Sequence, residues 1–89
     1  MIDKLRKIIS ENIFVEMENL EKLSSNDKLT NIGLDSINLI YIIGEIEEQF
    51  GFNFIDEELF LENFETLEKI SDLINKRKNV NIDDSRIKK

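Results

Sequence analysis

The chain has 89 residues, of which 40% are hydrophobic, and this is enough for one compact core in a single domain. It contains no cysteine and no histidine, which excludes disulfides, zinc sites built on these residues, and Ser-His-Asp or Cys-His catalytic groups. The formal net charge of −7 disfavours binding to nucleic acid and anionic lipid, and it favours partners with basic surfaces.

The sequence also bears on the compartment. No stretch approaches the roughly 18 apolar residues of a membrane span, and the first residues carry charges within their apolar pattern, unlike a signal peptide. The lack of cysteine fits a reducing compartment. We therefore expect a soluble, cytoplasmic protein. We also expect it to be a monomer.

The first predicted element is a helix over about residues 2–15. Its apolar residues recur at helical spacing and share one face: Ile2, Leu5, Ile8, Ile9 and Ile13. Residues 18–35 lose this periodicity and are rich in Asn, Ser and Asp, so they predict a long loop. Its expected anchors in the core are Leu20, Leu23, Leu29 and Ile32. A loop of this length is expected to have a function or some structure of its own.

A second helix is predicted over about residues 36–50. Asp35 suits its N-cap, because the carboxylate can accept hydrogen bonds from N–H groups of the first turn. Gly51 suits the left-handed position that ends a helix. Five apolar residues of this helix share one side and are assigned to the core: Leu39, Ile42, Ile43, Ile46 and Phe50.

Two further helices follow in the prediction. Asp56 is expected to cap a brief third helix near residues 57–61, and Thr66 is expected to cap a fourth helix that ends near residue 78. The last turn of the fourth helix is expected to be stabilised by positive charges that interact with the negative end of the helix dipole: Lys76, Arg77 and Lys78.

The predicted fold class is all-α. The expected architecture is a small four-helix bundle of three main helices plus one short helix, with a long loop between helices one and two. Residues 79–89 are mostly polar and predict a frayed tail, so the folded domain is expected to cover residues 1–78.

The second helix also carries apolar residues away from its core side. Ile37 and Tyr41 lie nearly opposite the core side, and Ile40 lies on a flank. We therefore expect the side chains of Ile37 and Tyr41 to be exposed to solvent near Ser36. Exposed apolar groups at this place suggest a docking surface, although isolated surface hydrophobic residues are also common and need no function.

Negative charge is concentrated in the same half of the chain. Between Asp35 and Asp72 there are eleven acidic residues and one basic residue, Lys69. Most of the acidic residues are expected to form a solvated surface. Glu47 and Glu48, which flank the exposed apolar positions, are predicted to meet Arg or Lys on partner proteins.

The run Gly33-Leu34-Asp35-Ser36-Ile37 opens the second helix. It resembles the signature of the acyl carrier protein family, which includes peptidyl carriers: a glycine, one residue, then Asp-Ser-Leu or Asp-Ser-Ile. The lead-in Asp27–Ile32 and the helix end Glu47–Gly51 also resemble the family. The resemblance covers about residues 2–78.

This resemblance implies a four-helix bundle that is not an enzyme, with no catalytic residue and no metal site. It implies a 4′-phosphopantetheine arm, donated by coenzyme A, attached covalently to Ser36 and holding cargo as a thioester. The implied partners are a phosphopantetheinyl transferase, an acyl- or aminoacyl-loading ligase, and downstream synthase or transferase domains. A helix N-terminus at Ser36 would suit the phosphate, because unpaired N–H groups and the positive end of the dipole meet there.

Six residues are the expected contacts with partner proteins: Asp35, Ile37, Ile40, Tyr41, Glu47 and Glu48. Asp35 adds negative charge beside a phosphate, so it is expected to act as a cap or to contact the transferase and its metal.

The sequence departs from the family at two positions. Housekeeping fatty acid carriers usually have acidic residues two and five places after the serine, where this chain has Asn38 and Tyr41. We therefore favour a free-standing carrier of a polyketide, non-ribosomal peptide or related dedicated pathway, loaded by an adenylating ligase. A housekeeping fatty acid carrier and a helical protein-interaction module without a prosthetic group stay open.

Two alternatives have weaker support in the sequence. The Asp-Ser pair alone would favour a plain helix cap, because both residues are preferred there, and only the surrounding pattern favours a carrier. Calcium binding is disfavoured, because neither Asp56-Glu57-Glu58 nor Asp83-Asp84-Ser85 has the spacing of an EF-hand loop.

Overall fold

The computed structural model describes the fold of residues 1–87 and the side chains of residues 1–77. In this part of the chain, four α-helices are joined by segments that contain three short 3-10 helices. The α-helices are α1 (Ile2–Ile13), α2 (Met17–Glu21), α3 (Ser36–Phe50) and α4 (Leu67–Ile87), and the 3-10 helices are Leu29–Ile32, Asp56–Glu58 and Leu61–Phe64. Three α-helices are long, one is short, and residues 1–87 form no strand. The predicted all-α bundle is confirmed.

One core joins these elements. Fifteen buried hydrophobic residues come from all four α-helices and from the segments between them: Leu5, Ile8, Ile9, Leu20, Leu29, Leu34, Leu39, Ile42, Ile46, Phe52, Phe54, Phe64, Leu67, Ile70 and Ile74. The predicted core side of α3 is confirmed, with Ile43 and Phe50 half-buried against the same core. Of the predicted loop anchors, Leu20 and Leu29 are buried, whereas the remaining two are half-buried.

Helices α1 and α3 pack against each other in opposite directions. The Lys4 ammonium lies 5.0 Å from the centroid of the Phe50 ring, so the start of α1 meets the end of α3. Since the two helices pack side by side, the end of α1 and the start of α3 lie at the same end of the bundle.

The long connection between α1 and α3 is not an unstructured loop. It contains α2, whose Leu20 is fully buried, and it is fastened to the start of α4 by two backbone hydrogen bonds. Leu29 N donates to Glu65 O at 2.6 Å, and Glu68 N donates to Ser25 O at 2.9 Å. The expectation that this segment has structure of its own is confirmed, although the short α-helix lies here and not near residues 57–61.

The predicted third helix is wrong in detail. The chain forms two 3-10 turns there, because Leu59 (φ −87°, ψ 57°) and Phe60 (φ −118°, ψ 142°) both leave the helical region. Asp56 lies inside the first turn and does not cap it, since Ile55 occupies the N-cap position. Glu58 turns its side chain back to accept a hydrogen bond from Ile55 N at 3.1 Å.

The other predicted caps are confirmed. Asp35 Oδ1 accepts from Ile37 N at 2.9 Å and Asn38 N at 2.8 Å. Gly51 ends α3 with φ 75°, a left-handed conformation that glycine adopts without steric cost. Thr66 Oγ1 accepts from Lys69 N at 3.1 Å at the start of α4.

Helix α4 is longer than the sequence pattern predicts. Its backbone continues past Lys78 to Ile87, and no proline or glycine interrupts this stretch. The side chains of residues 78–89 and the fold of residues 88–89 lie outside the described residues, so the frayed tail stays a prediction. Arg77, which was assigned to the helix dipole, instead pairs with Glu58 at 3.2 Å.

Phe64 provides a test of the core. It is 0% exposed and forms an edge-to-face contact with Phe54 at 5.3 Å between ring centroids. We expect Phe64→Ala to lower the free energy of unfolding by about 3–5 kcal/mol, because it removes buried surface and leaves a cavity. Phe60, which is 56% exposed, provides the matched control. Urea denaturation should show a change within about 0.5 kcal/mol for Phe60→Ala. Equal losses for the two variants would contradict this core.

The cap of α3 provides a second test. Asp35→Ala removes the acceptor of two backbone N–H groups and should lower the free energy of unfolding by about 1 kcal/mol. Asp35→Asn keeps an oxygen at the same place, so most of that stability should be retained. The same urea experiment measures both variants, and an equal loss in both would show that the hydrogen bonds do not stabilise α3.

Candidate functional site

Ser36 is the first residue of α3 and is exposed. The three residues before it each have a local role. Gly33 has φ 119°, a left-handed conformation that ends the 3-10 helix Leu29–Ile32. Leu34 is buried in the core, and Asp35 caps α3. A turn, an anchor and a cap therefore fix Ser36 at the surface.

Asn38 completes this arrangement and was not assigned such a role from the sequence. Its Oδ1 accepts from Asp35 N at 2.9 Å, and its Nδ2 donates to Gly33 O at 2.8 Å. A carboxylate at this position could accept the first hydrogen bond but could not donate the second. The signal in the sequence was the spacing of a capping box, Asp35 followed three residues later by a side chain that reaches back.

The capping box changes the electrostatics expected at Ser36. The N–H groups of Ile37 and Asn38 already donate to Asp35 Oδ1, so they are not free for a phosphate. The positive end of the α3 dipole is shared with the Asp35 carboxylate at the N-cap, and the first turn of α3 carries no acidic side chain. An anion on Ser36 would therefore be stabilised by the dipole more than by direct backbone hydrogen bonds.

Three large apolar side chains of α3 project into solvent close to Ser36. Ile37 is 70% exposed, Ile40 is 68% exposed and Tyr41 is 66% exposed. The predicted exposure of Ile37 and Tyr41 is confirmed. At spacings of three and four residues, the three side chains share one side of the helix. With the exposed Leu59, they form a surface that we call the apolar face.

A cavity of about 250 Å³ opens beside Ser36. It is lined by six residues: Ser36, Leu39, Ile40, Ile43, Leu59 and Leu61. Apart from the serine, all of these side chains are aliphatic. Apolar cavities of about 150 Å³ are large enough to bind benzene. The cavity can therefore accept a small alkyl or aromatic group next to the Ser36 hydroxyl.

Sequence reasoning did not find the far wall of this cavity. Leu59 and Leu61 lie between α3 and α4, in the segment expected to be a short helix, and Phe60 between them is exposed. The available signal was the run Leu59-Phe60-Leu61. These three consecutive large apolar residues interrupt the otherwise mostly acidic and polar residues 56–65.

The two glutamates predicted to bind partners lie away from Ser36. Eleven and twelve residues of helix place Glu47 and Glu48 roughly 17 Å along the axis of α3 from it. Glu47 is half-buried, and its Oε2 accepts from Phe54 N at 2.8 Å, so it fastens the connection after α3. Glu48 is exposed. The structure thus brings together Asp35, Ser36 and the apolar face, but not the two glutamates.

The described residues contain neither a metal-binding cluster nor a membrane-spanning helix. No three acidic side chains there converge to hold a metal ion. Among the helices of residues 1–87, none combines the length and apolar composition that crossing a bilayer requires.

Comparison with known proteins gives a consistent result. Residues 3–74 match the family model described as phosphopantetheine attachment site. The acyl carrier protein of Coprothermobacter proteolyticus is 30% identical over 74 residues, which are 83% of this chain and 85% of that protein. The acyl carrier protein of Buchnera aphidicola subsp. Schizaphis graminum is 31% identical over 74 residues, 83% of this chain and 89% of that protein. An acyl carrier protein homolog of Ureaplasma parvum serovar 3 is 35% identical over 74 residues, which are 82% of this chain and 83% of that protein.

The family match covers most of the chain and includes Ser36 with its turn, anchor and cap. The helical bundle agrees with the architecture that the resemblance implied. The chain belongs to the phosphopantetheine attachment site family, as a non-catalytic carrier protein related to acyl carrier proteins.

Proposed function

We propose that Ser36 is the attachment residue of the 4′-phosphopantetheine arm, and that the chain is a free-standing acyl or aminoacyl carrier of a polyketide, non-ribosomal peptide or related dedicated pathway. The observation that carries the attachment is the exposed Ser36 hydroxyl at the first position of α3, inside the residues that match the family. When bound, the arm supplies a thiol that carries cargo as a thioester.

The residues around Ser36 fit such a group. The hydroxyl is exposed, and α3 presents the positive end of its dipole with no acidic side chain in the first turn. This dipole stabilises an exposed anion by about 0.3–1 kcal/mol. Asp35 is the nearest carboxylate in sequence, and its Oδ1 accepts two backbone hydrogen bonds. The described chain thus offers a charge environment that tolerates a phosphodiester.

Activation of the serine is assigned to the partner enzyme. The chain has no histidine and no cysteine, the side chains that most often move a proton near neutral pH. The contribution of this chain is positional: Gly33, Leu34 and the Asp35 cap hold one hydroxyl in solvent, where a transferase can reach it.

The dedicated pathway rests on the chemistry of the apolar face. Asn38 is uncharged and donates to Gly33 O, and Tyr41, at the other position that is usually acidic, is exposed. A partner that reads this surface would therefore need apolar contacts near Ser36, with basic groups placed farther along α3. This differs from a recognition surface that begins with carboxylates beside the serine, and it favours a dedicated loading enzyme.

Modification of Ser36 can be tested by intact mass. We expect incubation with coenzyme A and a promiscuous phosphopantetheinyl transferase to add one phosphopantetheine to the wild type and none to Ser36→Ala. Ser24→Ala changes another exposed serine, in the connection between α2 and α3, and should be modified like the wild type. Modification of Ser36→Ala, or none of the wild type, would overturn the assignment.

Pathway selectivity can be tested with the malonyl transferase of a bacterial fatty acid synthase. We expect the modified wild type to be a poor malonyl acceptor, with kcat/KM about tenfold or more below that of a housekeeping carrier, because interface residues of this size contribute on the order of 1–2 kcal/mol. Tyr41→Glu, which restores an acidic residue near Ser36, should raise that value. Asp3→Asn changes an exposed residue at the start of α1, at the opposite end of the bundle from Ser36, and should leave it unchanged.

Efficient malonyl transfer to the wild type, followed by elongation by the fatty acid enzymes, would instead support a housekeeping carrier.

A further inference from the structure

The segment that closes the Ser36 cavity also borders a cleft beside α4. Leu59 and Leu61 line the cavity of about 250 Å³ against α3. On the other side, a surface cleft of about 470 Å³ lies next to α4, and it is lined by Ile55, Glu58 and Asn63 on the segment. The buried Phe64 packs the end of the segment on α4, but Ile55 and Leu59 are 43% and 37% exposed, so apolar packing fixes residues 55–59 less firmly than the core helices.

Glu58 supplies polar contacts in place of that packing. It is only 6% exposed, although it lies in an acidic run that predicts a solvated surface. Its Oε2 accepts from Arg77 Nη2 at 3.2 Å, and its Oε1 accepts from Ile55 N at 3.1 Å. Its backbone oxygen accepts from Asn63 Nδ2 at 3.0 Å. One residue therefore connects both ends of the segment and ties it to α4.

The pair of Glu58 and Arg77 is not explained by stability alone. Burying two charges costs solvation energy that their attraction often only balances, and apolar pairs of similar size are frequently as stable. Arg77 is itself mostly buried, and its Nε has no hydrogen-bond partner among the described residues. The ion pair instead restricts the position of the segment, because the directional hydrogen bonds of Glu58 fix the backbone between residues 55 and 63 relative to α4.

We propose that the Glu58–Arg77 pair is a positioning device for cargo: it holds Leu59 and Leu61 against α3 and so maintains the cavity beside Ser36. The inference rests on the proposed attachment of a thioester at Ser36. With the wall in place, an alkyl group that enters the cavity is shielded, together with its thioester, from water and nucleophiles. With the wall released, long and short acyl groups are equally exposed.

The test compares acyl chains of two lengths on the same serine. Acetyl- and octanoyl-coenzyme A, used with a promiscuous transferase, load Ser36 with short and long cargo, and the rate of thioester cleavage by hydroxylamine is followed by intact mass. We expect the octanoyl thioester of the wild type to be cleaved severalfold more slowly than the acetyl thioester. In Glu58→Gln this ratio should approach one, while the acetyl rate stays unchanged.

Two controls separate positioning from general destabilisation. Asp3→Asn removes a carboxylate from an exposed ion pair on α1, and Thr66→Ala removes the cap of α4, and neither residue lines the cavity. Both should keep the wild-type ratio. The double variant Glu58→Gln/Arg77→Met leaves no unpaired buried charge, so it should fold as judged by circular dichroism, and it should also lose the ratio.

A folded double variant that protects octanoyl cargo as the wild type does would overturn the inference. So would a wild type that cleaves both thioesters at the same rate, because the cavity then takes no alkyl chain. Methyl NMR gives an independent measurement: contacts from the octanoyl chain to Leu59 and Leu61 should be present in the wild type and absent in Glu58→Gln. Failure of both coenzyme A derivatives to load would instead refute the attachment at Ser36, and with it this inference.

Discussion

Asp35 and Asn38 each satisfy backbone groups of the other, and this reciprocal capping box determines where α3 begins. It makes Ser36 the first helical residue, while the buried side chains of Leu39, Ile42 and Ile46 fix the rotation of α3 against the core. The same interaction holds Gly33, since the Asn38 amide also donates to its carbonyl oxygen. The cap and the core contacts together place the hydroxyl at the surface beside the cavity and the apolar face.

The acidic side chains of α3 lie away from this capping box. Asn38 acts as both donor and acceptor there, and the first turn carries no acidic side chain. Acidic residues begin only in the second half of the helix, where Glu47 accepts a hydrogen bond from Phe54 N and so holds the connection after α3. Encounter with a basic partner would be steered by the far half of α3, while specificity would depend on contacts near Ser36.

The parts of the fold that the sequence predicted are those that local interactions determine. Helices α1 and α3 show clear apolar periodicity, and the caps at Asp35, Gly51 and Thr66 depend on residues at most four positions away. Helix α2 has only five residues, too few to show a period, and depends on burial of Leu20. The exposure of the apolar side chains near Ser36 was predictable for the same local reason, since helical phase alone separates them from the core.

The wall of the Ser36 cavity could not be predicted in this way. Its shape depends on Glu58 and Arg77, which are 19 residues apart and belong to different elements. A sequence pattern presents Glu58 as one carboxylate in an acidic run, and only the tertiary contact shows that it is buried. Non-local contacts thus shape the space next to the serine, whereas local ones place the serine itself.

The most direct test of the central claim is top-down mass spectrometry of the protein purified from its native cell. Fragment ions on either side of Ser36 should place a phosphopantetheine on that residue, and the remaining mass should identify an acyl or aminoacyl thioester. A protein that is recovered with an unmodified Ser36, or with the group on another residue, would contradict the account.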